Sequence, residues 1–164
     1  MDHSGWRSRG YLPHCDGADL IQHIVFGTVG TGDDVQKQFG ERLMSDPQIA
    51  DLVQDALLFF DSERYSVLAW CVMSNHVHIV VRQHEGWPLA RVVHSWKSFT
   101  ANEINRILRR AGPVWHREYF DRFIRDEGHY RTVVDYIHRN PVKAGLVQKP
   151  EDWEWSSARV WLQR

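Results

Sequence analysis

The sequence has few cysteines and no long apolar segment, and each absence excludes a class of protein. Cys15 and Cys71 are the two cysteines of the chain, so they form neither a disulfide framework nor a CxxC metal site. Cys71 lies within an apolar run and is predicted to be a buried thiol. No apolar stretch approaches the roughly 20 residues of a membrane span, and the first residues show no apolar signal core. We therefore expect a protein of the reducing cytoplasm with no membrane partner.

The chain also lacks a large net charge, which is −1 in total, and it contains no repeat or low-complexity tract. The charges are nevertheless divided unevenly. Residues 91–149 contain 12 Lys and Arg against 6 Asp and Glu, whereas the rest of the chain contains 8 against 15. The resulting net charges of +6 and −7 predict a polyanion-binding face in the C-terminal half. A mixture of solvated faces is the alternative interpretation.

Hydrophobic periodicity and turn residues predict the element order β-α-β-β-α-β followed by a further helix. Strands are predicted at residues 20–28, 65–73 and 76–82, with a short fourth strand within 114–124. Helices are predicted to start near Val35, to span 47–60 with Asp46 as the cap, and to span 88–110 and 127–139. The last helix is expected to end at Asn140-Pro141, because the residue before a proline disfavours helix.

This order predicts an α+β fold, a ferredoxin-like split β-α-β sandwich with an antiparallel sheet. The helices between the strands should cover one face, and an extra C-terminal helix follows. The length of 164 residues suits one domain, with residues 143–164 as a C-terminal tail.

Two histidines, His76 and His78, are separated by one residue in a predicted strand. Side chains at positions i and i+2 project from the same side of a strand. Their imidazoles can therefore ligate one divalent ion through neutral ring nitrogens. Two surface histidines on an edge strand are the alternative interpretation of this motif. The spacing excludes zinc fingers and HExxH proteases.

Three motifs in and around this region resemble a known family. They are NHVHIVV at 75–81, VWHREYFDRFIRDE at 114–127 and YIHRNPVKAGLV at 136–147. Together they resemble the Y1 tyrosine transposases of the His-hydrophobic-His class, and within it the REP-associated tyrosine transposases. The resemblance extends from Tyr11 to Trp153. It implies a divalent metal, Mg²⁺ or Mn²⁺, and single-stranded or hairpin-forming DNA as the substrate.

The resemblance also places the nucleophile at Tyr136 and the third metal ligand at Asn140. Their i, i+4 spacing allows both side chains to lie on one helix face. A free phenol has a pKa of about 10 and is a weak nucleophile at neutral pH, so a metal on the scissile phosphate would assist the attack. The implied reaction forms a 5′-phosphotyrosine and a free 3′-OH without ATP. No general base is evident in the sequence.

Other residues compete for these roles. Tyr136 can instead pack under the helix end, with Asn140 as a C-terminal cap. Tyr119 and Tyr130 are alternative nucleophiles. The alternative metal ligands are Asn75, Glu118, Asp121 and His138.

Basic side chains in the C-terminal half are expected to contact DNA phosphates, which would make binding salt-sensitive. The expected contacts are Lys97, Arg117, Arg122, Arg125, Arg139 and Lys143. Aromatic side chains are candidates for stacking on unpaired bases, namely Trp87, Trp96, Trp115 and Tyr119. Of these, Trp96 lies in the apolar stripe of its helix, so we expect it in the core.

Two alternatives to an active transposase stay open, namely a DNA-binding regulator that has lost the chemistry and an unrelated metal hydrolase. We expect a bacterial cytoplasmic protein that associates with the nucleoid when bound to DNA. The resemblance favours a monomer, although related transposases exchange the tyrosine helix between the subunits of a dimer. A site made within one chain requires Tyr136 and the two histidines on the same sheet face.

Overall fold

The computed structural model describes residues 20–30 and 39–161. Its strands and α-helices are β1 Ile21–Gly27, α1 Pro47–Leu58, β2 Tyr65–Val72, β3 His76–Gln83, α2 Leu89–Leu108, β4 Phe120–Phe123, α3 Glu127–Lys143 and α4 Ala158–Trp161. Single turns of 3-10 helix occupy Leu43–Ser45 and Pro150–Asp152. The helix predicted near Val35 and the start of the resemblance at Tyr11 lie outside the described residues.

The four strands form one antiparallel sheet in the order β2-β3-β1-β4. This order confirms the predicted α+β split sandwich. A tight turn at Ser74-Asn75 joins β2 to β3, and the backbone N–H of Met73 donates to the His76 carbonyl at 2.8 Å. Because β3 has a neighbour on each side, His76 and His78 lie on a central strand and not on an edge.

The alternation of side chains divides the sheet into two apolar faces. One face packs against α1 and α2 through a cluster that includes Ile24, Ile79 and Trp96. The opposite face packs against α3 through a second cluster that includes Val80 and Ile137. Each large aliphatic side chain that is fully buried contributes about 1.5–3 kcal/mol. The two clusters therefore hold two helices on one face and the tyrosine-bearing helix on the other.

Two local predictions made from the sequence agree with the structure. Helix α1 begins with Pro47 in its first turn, and the Asp46 carboxylate accepts a hydrogen bond from the backbone N–H of Gln48 at 2.9 Å. Cys71 is buried without solvent contact, and burial raises the pKa of its thiol to about 12. A thiol with so high a pKa is an inert packing group at neutral pH.

The predicted end of the last helix at Asn140-Pro141 is wrong, because α3 continues through Pro141 to Lys143. The termination comes instead from Gly145, which has a φ of +77°. The N–H of Leu146 donates to the Pro141 carbonyl at 3.0 Å, and the N–H of Gly145 donates to the Val142 carbonyl at 2.9 Å. This is the Schellman arrangement that ends many helices. Asn140 therefore lies inside the helix rather than at its cap.

The C-terminal tail covers the outer edge of β2. The N–H of Val72 donates to the Trp155 carbonyl at 2.8 Å, and the N–H of Ser157 donates to the Trp70 carbonyl at 3.0 Å. The indole of Trp153 donates to the Val72 carbonyl at 3.0 Å. An open edge strand is prone to pair with another chain, and these contacts close this edge. None of the helices within residues 20–30 and 39–161 has the length and apolar character needed to cross a bilayer.

Candidate active site

A cleft of about 560 Å³ lies between α3 and the sheet face that it covers. The strands contribute side chains at alternate positions, because residues i and i+2 share a face. Helix α3 contributes residues spaced by three or four, which share one side of a helix. The lining residues are His23, Val25, Phe39, His76, His78, Phe120, Arg122, His129, Thr132, Val133 and Tyr136.

The two histidines of β3 point into this cleft. Their ring centroids are 5.1 Å apart, and the His78 side chain is buried with 5% of its surface exposed. Burial lowers the pKa of His76 to about 4. The pKa of His78 is also lowered well below its usual value, first by burial and then by the neighbouring His76 and His23. Both imidazoles are therefore neutral at pH 7, which is the form that binds metals.

Tyr136 meets the histidines in the same cleft. Its ring centroid is 5.7 Å from that of His78, with the rings nearly perpendicular at 84°. The residue is 51% exposed, so its hydroxyl is accessible to a large substrate. Tyr136 does not pack under the helix end, which was the alternative for this side chain.

The other tyrosines of the described residues are less suited to attack DNA. Tyr65 is buried and donates its hydroxyl hydrogen to the Leu57 carbonyl at 2.8 Å. Tyr130 is 3% exposed, and burial raises the pKa of its phenol to about 12. Tyr119 is partly buried against the core cluster on the opposite sheet face. Tyr136 is therefore the exposed tyrosine beside the histidine pair.

Asn140 lies one helical turn after Tyr136 and reaches the same histidine. Its Nδ2 atom is 2.9 Å from Nε2 of His78. The continuation of α3 through Pro141 makes this possible, because Asn140 keeps helical geometry and stays on the face of Tyr136. Nε2 of His78 and the amide of Asn140 thus face one another.

The donor set fits a hard divalent ion only if an amide takes part. No three His, Cys, Asp or Glu side chains within the described part of the chain form a metal-binding group. Two imidazole nitrogens and the amide oxygen of Asn140 would make a mixed nitrogen and oxygen set. Such a set with open positions suits Mg²⁺ or Mn²⁺ acting on a phosphate.

The alternative metal ligands are engaged elsewhere or lie outside the cleft. Nδ1 of His76 is 2.9 Å from Oδ1 of Asn75. The Asn75 amide therefore contacts the edge of the His76 ring and is not directed into the cleft. Asp121 accepts a hydrogen bond from the Gln22 amide at 3.0 Å. His138 Nε2 is 2.7 Å from the Ser157 hydroxyl, at the tail. Glu118 is exposed and precedes β4.

The basic residues expected to bind DNA are not all at the cleft. Arg122 lines it, and its Nη2 lies 2.9 Å from Nε2 of His129. Lys97 instead donates to the Arg117 carbonyl at 3.3 Å, and Arg139 pairs with Asp135 at 2.9 Å on an exposed helix face. The three remaining members of the set are exposed, namely Arg117, Arg125 and Lys143.

The aromatic candidates for base stacking separate into core and surface residues. Trp96 is buried as expected, and its indole donates to the Tyr65 hydroxyl at 2.9 Å. Trp115 is also buried and donates to the Thr100 hydroxyl at 2.8 Å. Trp87 contacts the guanidinium groups of Arg64 and Arg91, which lie 4.2 Å and 4.8 Å from its ring centroid. These contacts lie away from the cleft.

The sequence reasoning missed several cleft residues, among them His23, Phe120 and His129. His23 Nε2 is 3.0 Å from His78 Nδ1. Phe120 is 70% exposed at the edge strand β4. His23 shares its sheet face with Ile21 and Val25, but its contact with His78 depends on the β1–β3 register, which the sequence does not specify. His129 carries no motif of its own.

Comparison with known proteins assigns a family. The family model described as transposase, IS200-like, matches residues 46–140, more than half of the chain. A REP-associated tyrosine transposase of Escherichia coli K12 is 28% identical over 95 residues, which cover 57% of this chain and 54% of the relative. A Haemophilus influenzae relative, assigned provisionally to the same group, is 27% identical over 103 residues, covering 57% of this chain and 58% of the relative. The chain thus spans little more than half the length of these curated relatives.

A solved structure of a REP-associated tyrosine transposase bound to a REP hairpin has a similar fold. Its TM-score is 0.67 at 19% identity, covering 96% of this chain and 85% of that chain. At this identity the likeness shows the fold. The resemblance inferred from the three motifs is confirmed by the family match and by these relatives.

Proposed function

Because the chain belongs to the family of IS200-like transposases, we propose that it cleaves and rejoins single-stranded DNA with Tyr136 as the nucleophile. The observation that carries this proposal is the contact of the exposed Tyr136 ring with His78, 5.7 Å between centroids, in one cleft of one chain. Family membership also removes the unrelated metal hydrolase from the alternatives.

The metal site of this proposal consists of His76, His78 and Asn140. Nε2 of each imidazole and the amide oxygen of Asn140 are its donors, and Mg²⁺ or Mn²⁺ is the ion that suits them. A divalent ion bound there would neutralise charge on the scissile phosphate and align its phosphorus. The neutral state of both rings, caused mainly by burial, supports this assignment.

The proposed reaction is a transesterification in two directions. The Tyr136 oxygen attacks the phosphorus, a bond from phosphorus to the tyrosine forms, and the bond to the 3′ oxygen breaks. The phenolic proton is lost to solvent, and the leaving oxygen takes up a proton to become a free 3′-OH. A different 3′-OH can then attack the 5′-phosphotyrosine and release Tyr136. The number of phosphoester bonds is unchanged, so no ATP is needed.

The proposed substrate is single-stranded DNA beside a hairpin. The structural neighbour that binds a REP hairpin supports this class of DNA, and the net charge of +6 in residues 91–149 suits a polyanion. Arg122 at the cleft would hold the strand near Tyr136. The outlying basic residues would hold more distant phosphates, namely Lys97, Arg117, Arg125, Arg139 and Lys143.

The proposal extends to the oligomeric state and to the cellular location. Tyr136 contacts His78 of its own chain, so the site needs no tyrosine helix from a partner, and we assign a monomer as the working unit. A protein that acts on DNA in a bacterium would work in the cytoplasm at the nucleoid.

The test is the formation of a covalent adduct. The protein is incubated with a labelled hairpin carrying a single-stranded flank and Mg²⁺ or Mn²⁺, and the products are separated on a denaturing gel. The wild type should form a protein–DNA adduct that Tyr136→Phe abolishes and that the matched control Tyr119→Phe retains. An adduct that survives Tyr136→Phe and disappears in Tyr119→Phe would overturn the nucleophile. Tight hairpin binding by the wild type without any adduct would favour the regulator.

A further inference from the structure

A histidine ligand must present a nitrogen without a proton to the metal. The hydrogen bond at its other nitrogen therefore helps to decide which nitrogen is available. A neutral imidazole carries one proton, on either Nδ1 or Nε2. In His78, Nε2 is the atom near Asn140, whereas Nδ1 lies 3.0 Å from Nε2 of His23. An acceptor at Nδ1 would keep the proton there and leave Nε2 free.

His23 is placed to be that acceptor by the register of the sheet. It lies on β1 opposite Val80 of β3, next to the pair formed by Val25 and His78. His23 and His78 therefore project from the same face. Their rings are nearly parallel, with an interplanar angle of 19° and centroids 5.3 Å apart. This arrangement brings one nitrogen of each ring within hydrogen-bond distance.

We infer that His23 is a positioning residue, whose Nε2 accepts the Nδ1–H of His78 and holds the free Nε2 of His78 toward the cleft. This inference rests on the proposed function, because it gives Nε2 of His78 the role of a ligand. Metal-binding histidines usually donate their second ring N–H to such a neighbour, which fixes the tautomer and the ring orientation. No motif in the sequence marks His23 for this role.

The other histidine of the pair has a matching partner. Nδ1 of His76 lies 2.9 Å from Oδ1 of Asn75. The amide of Asn75 is oriented by its Nδ2, which donates to the carbonyls of Phe39 and Gly40 at 3.2 Å and 3.3 Å. Oδ1 of Asn75 is therefore the acceptor, and Nδ1 of His76 carries the proton. Both imidazoles thus meet a neutral acceptor at Nδ1 and leave Nε2 free on the cleft side.

The partners belong to different parts of the chain, which makes the role of His23 separable. Asn75 is in the turn before β3, beside the residue that it orients. His23 is 55 residues away from His78, so its contribution depends on the pairing of β1 with β3. Replacing His23 changes the acceptor for His78 and leaves the acceptor for His76 in place.

The tautomer can be read directly in the metal-free protein without DNA. Histidines are labelled with ¹⁵N, and long-range ¹H–¹⁵N spectra at pH 7 show which ring nitrogen carries the proton. The His78 signals are assigned by their loss in His78→Gln. We expect His78 to carry its proton on Nδ1 in the wild type. A wild-type proton on Nε2 would overturn the inference, and this result needs no variant at His23.

Variants at His23 separate an acceptor from a packing role. His23→Leu fills the position with an apolar side chain and removes the acceptor, whereas the amide oxygen of His23→Gln can accept the same hydrogen bond. His23→Leu should move the His78 proton toward Nε2 and weaken Mn²⁺ binding by about 10-fold to 100-fold, the range found when such partners are removed. His23→Gln should keep the Nδ1 proton and most of the affinity. His94→Leu, at an exposed position on α2, is the matched control and should change neither.

The outcomes also distinguish this inference from the proposed function. An unchanged His78 tautomer and Mn²⁺ affinity in His23→Leu would contradict the positioning role even if the wild type forms the DNA adduct. The expected tautomer shift in a protein that forms no adduct would contradict the proposed function and leave the role of His23 intact. Calorimetric titration with MnCl₂ measures the affinities, and the spectra themselves report whether each variant is folded.

Discussion

At the scale of single residues, the proposed site depends on which atoms face the cleft. Tyr136 is exposed beside His78, and Asn140 reaches Nε2 of the same ring. The motifs and the family resemblance predicted these three positions from the sequence. His23 was not predicted, because its contact joins two strands whose register is set by packing across the whole sheet. The spacing of residues along the chain identifies those that lie side by side on one helix or strand. Contacts between different elements can be identified only once the fold is known.

Asn140 is the residue whose role as a ligand is easiest to test alone. We expect Asn140→Ala to weaken Mn²⁺ binding by roughly 10-fold or more, because one of three protein donors is lost. Asn140→Asp should bind at least as well as the wild type, since a carboxylate oxygen is a good donor for a hard ion. Calorimetric titration measures both affinities.

The control for this change is Asn102→Ala, at an exposed position of α2, which should leave Mn²⁺ binding unchanged. Wild-type affinity in Asn140→Ala would remove Asn140 from the metal site.

At the scale of elements, α3 and β4 shape the substrate side of the cleft. The proline rule predicted an end of α3 that is too early, because Pro141 is buried inside the helix and the helix continues to Lys143, before Gly145 adopts a positive φ. Gly145 followed by Leu146 was the stronger signal for the helix end. The boundary matters for function, because a helix that ended at Asn140 would not hold its side chain in line with Tyr136.

Strand β4 presents an aromatic ring at the rim of the cleft, which predicts a stacking position for an unpaired base. Phe120 is 70% exposed and lies across β1 from His78, both opposite Val25. Stacking of one base on an aromatic ring contributes about 1–3 kcal/mol, so Phe120→Ala should weaken binding of a hairpin with a single-stranded flank by roughly 5-fold to 150-fold. Fluorescence anisotropy with a labelled hairpin measures the change.

Two comparisons make this result specific. A blunt hairpin without the flank should bind the wild type and Phe120→Ala equally. Phe59→Ala is the matched control, because Phe59 is 73% exposed beside α1, on the opposite side of the sheet. An equal loss in Phe59→Ala, or no loss in Phe120→Ala, would contradict a stacking role at the cleft.

At the scale of the whole molecule, the C-terminal tail joins α3 to the edge of β2. The Ser157 hydroxyl accepts the N–H of Trp70 at 2.9 Å and lies 2.7 Å from His138 on α3. The sequence indicated a tail but gave no position for it, because a contact such as that of Ser157 with Trp70 joins residues 87 positions apart. The expectation that the chain is one domain stays a prediction.

The tail contacts predict a loss of stability when the Ser157 hydroxyl is removed. Ser157 is fully buried, so Ser157→Ala should leave the Trp70 N–H without its partner and lower the free energy of unfolding by about 1–3 kcal/mol. Urea denaturation followed by tryptophan fluorescence measures this change. Ser98→Ala, at an exposed position of α2, should change the stability by less than about 0.5 kcal/mol. Equal stabilities for the two variants would show that the Ser157 hydroxyl does not stabilise the contact between the tail and the sheet.

The central claim is that Tyr136 forms the covalent bond to DNA, and mapping the bond to a residue tests it most directly. The adduct formed on a hairpin with Mn²⁺ is trimmed with nuclease, digested with protease and analysed by tandem mass spectrometry. The account predicts a nucleotide attached through its 5′ phosphate to the peptide containing Tyr136, with fragment ions that place it on that residue. A nucleotide attached to Tyr119, Tyr130 or any other residue would contradict the account.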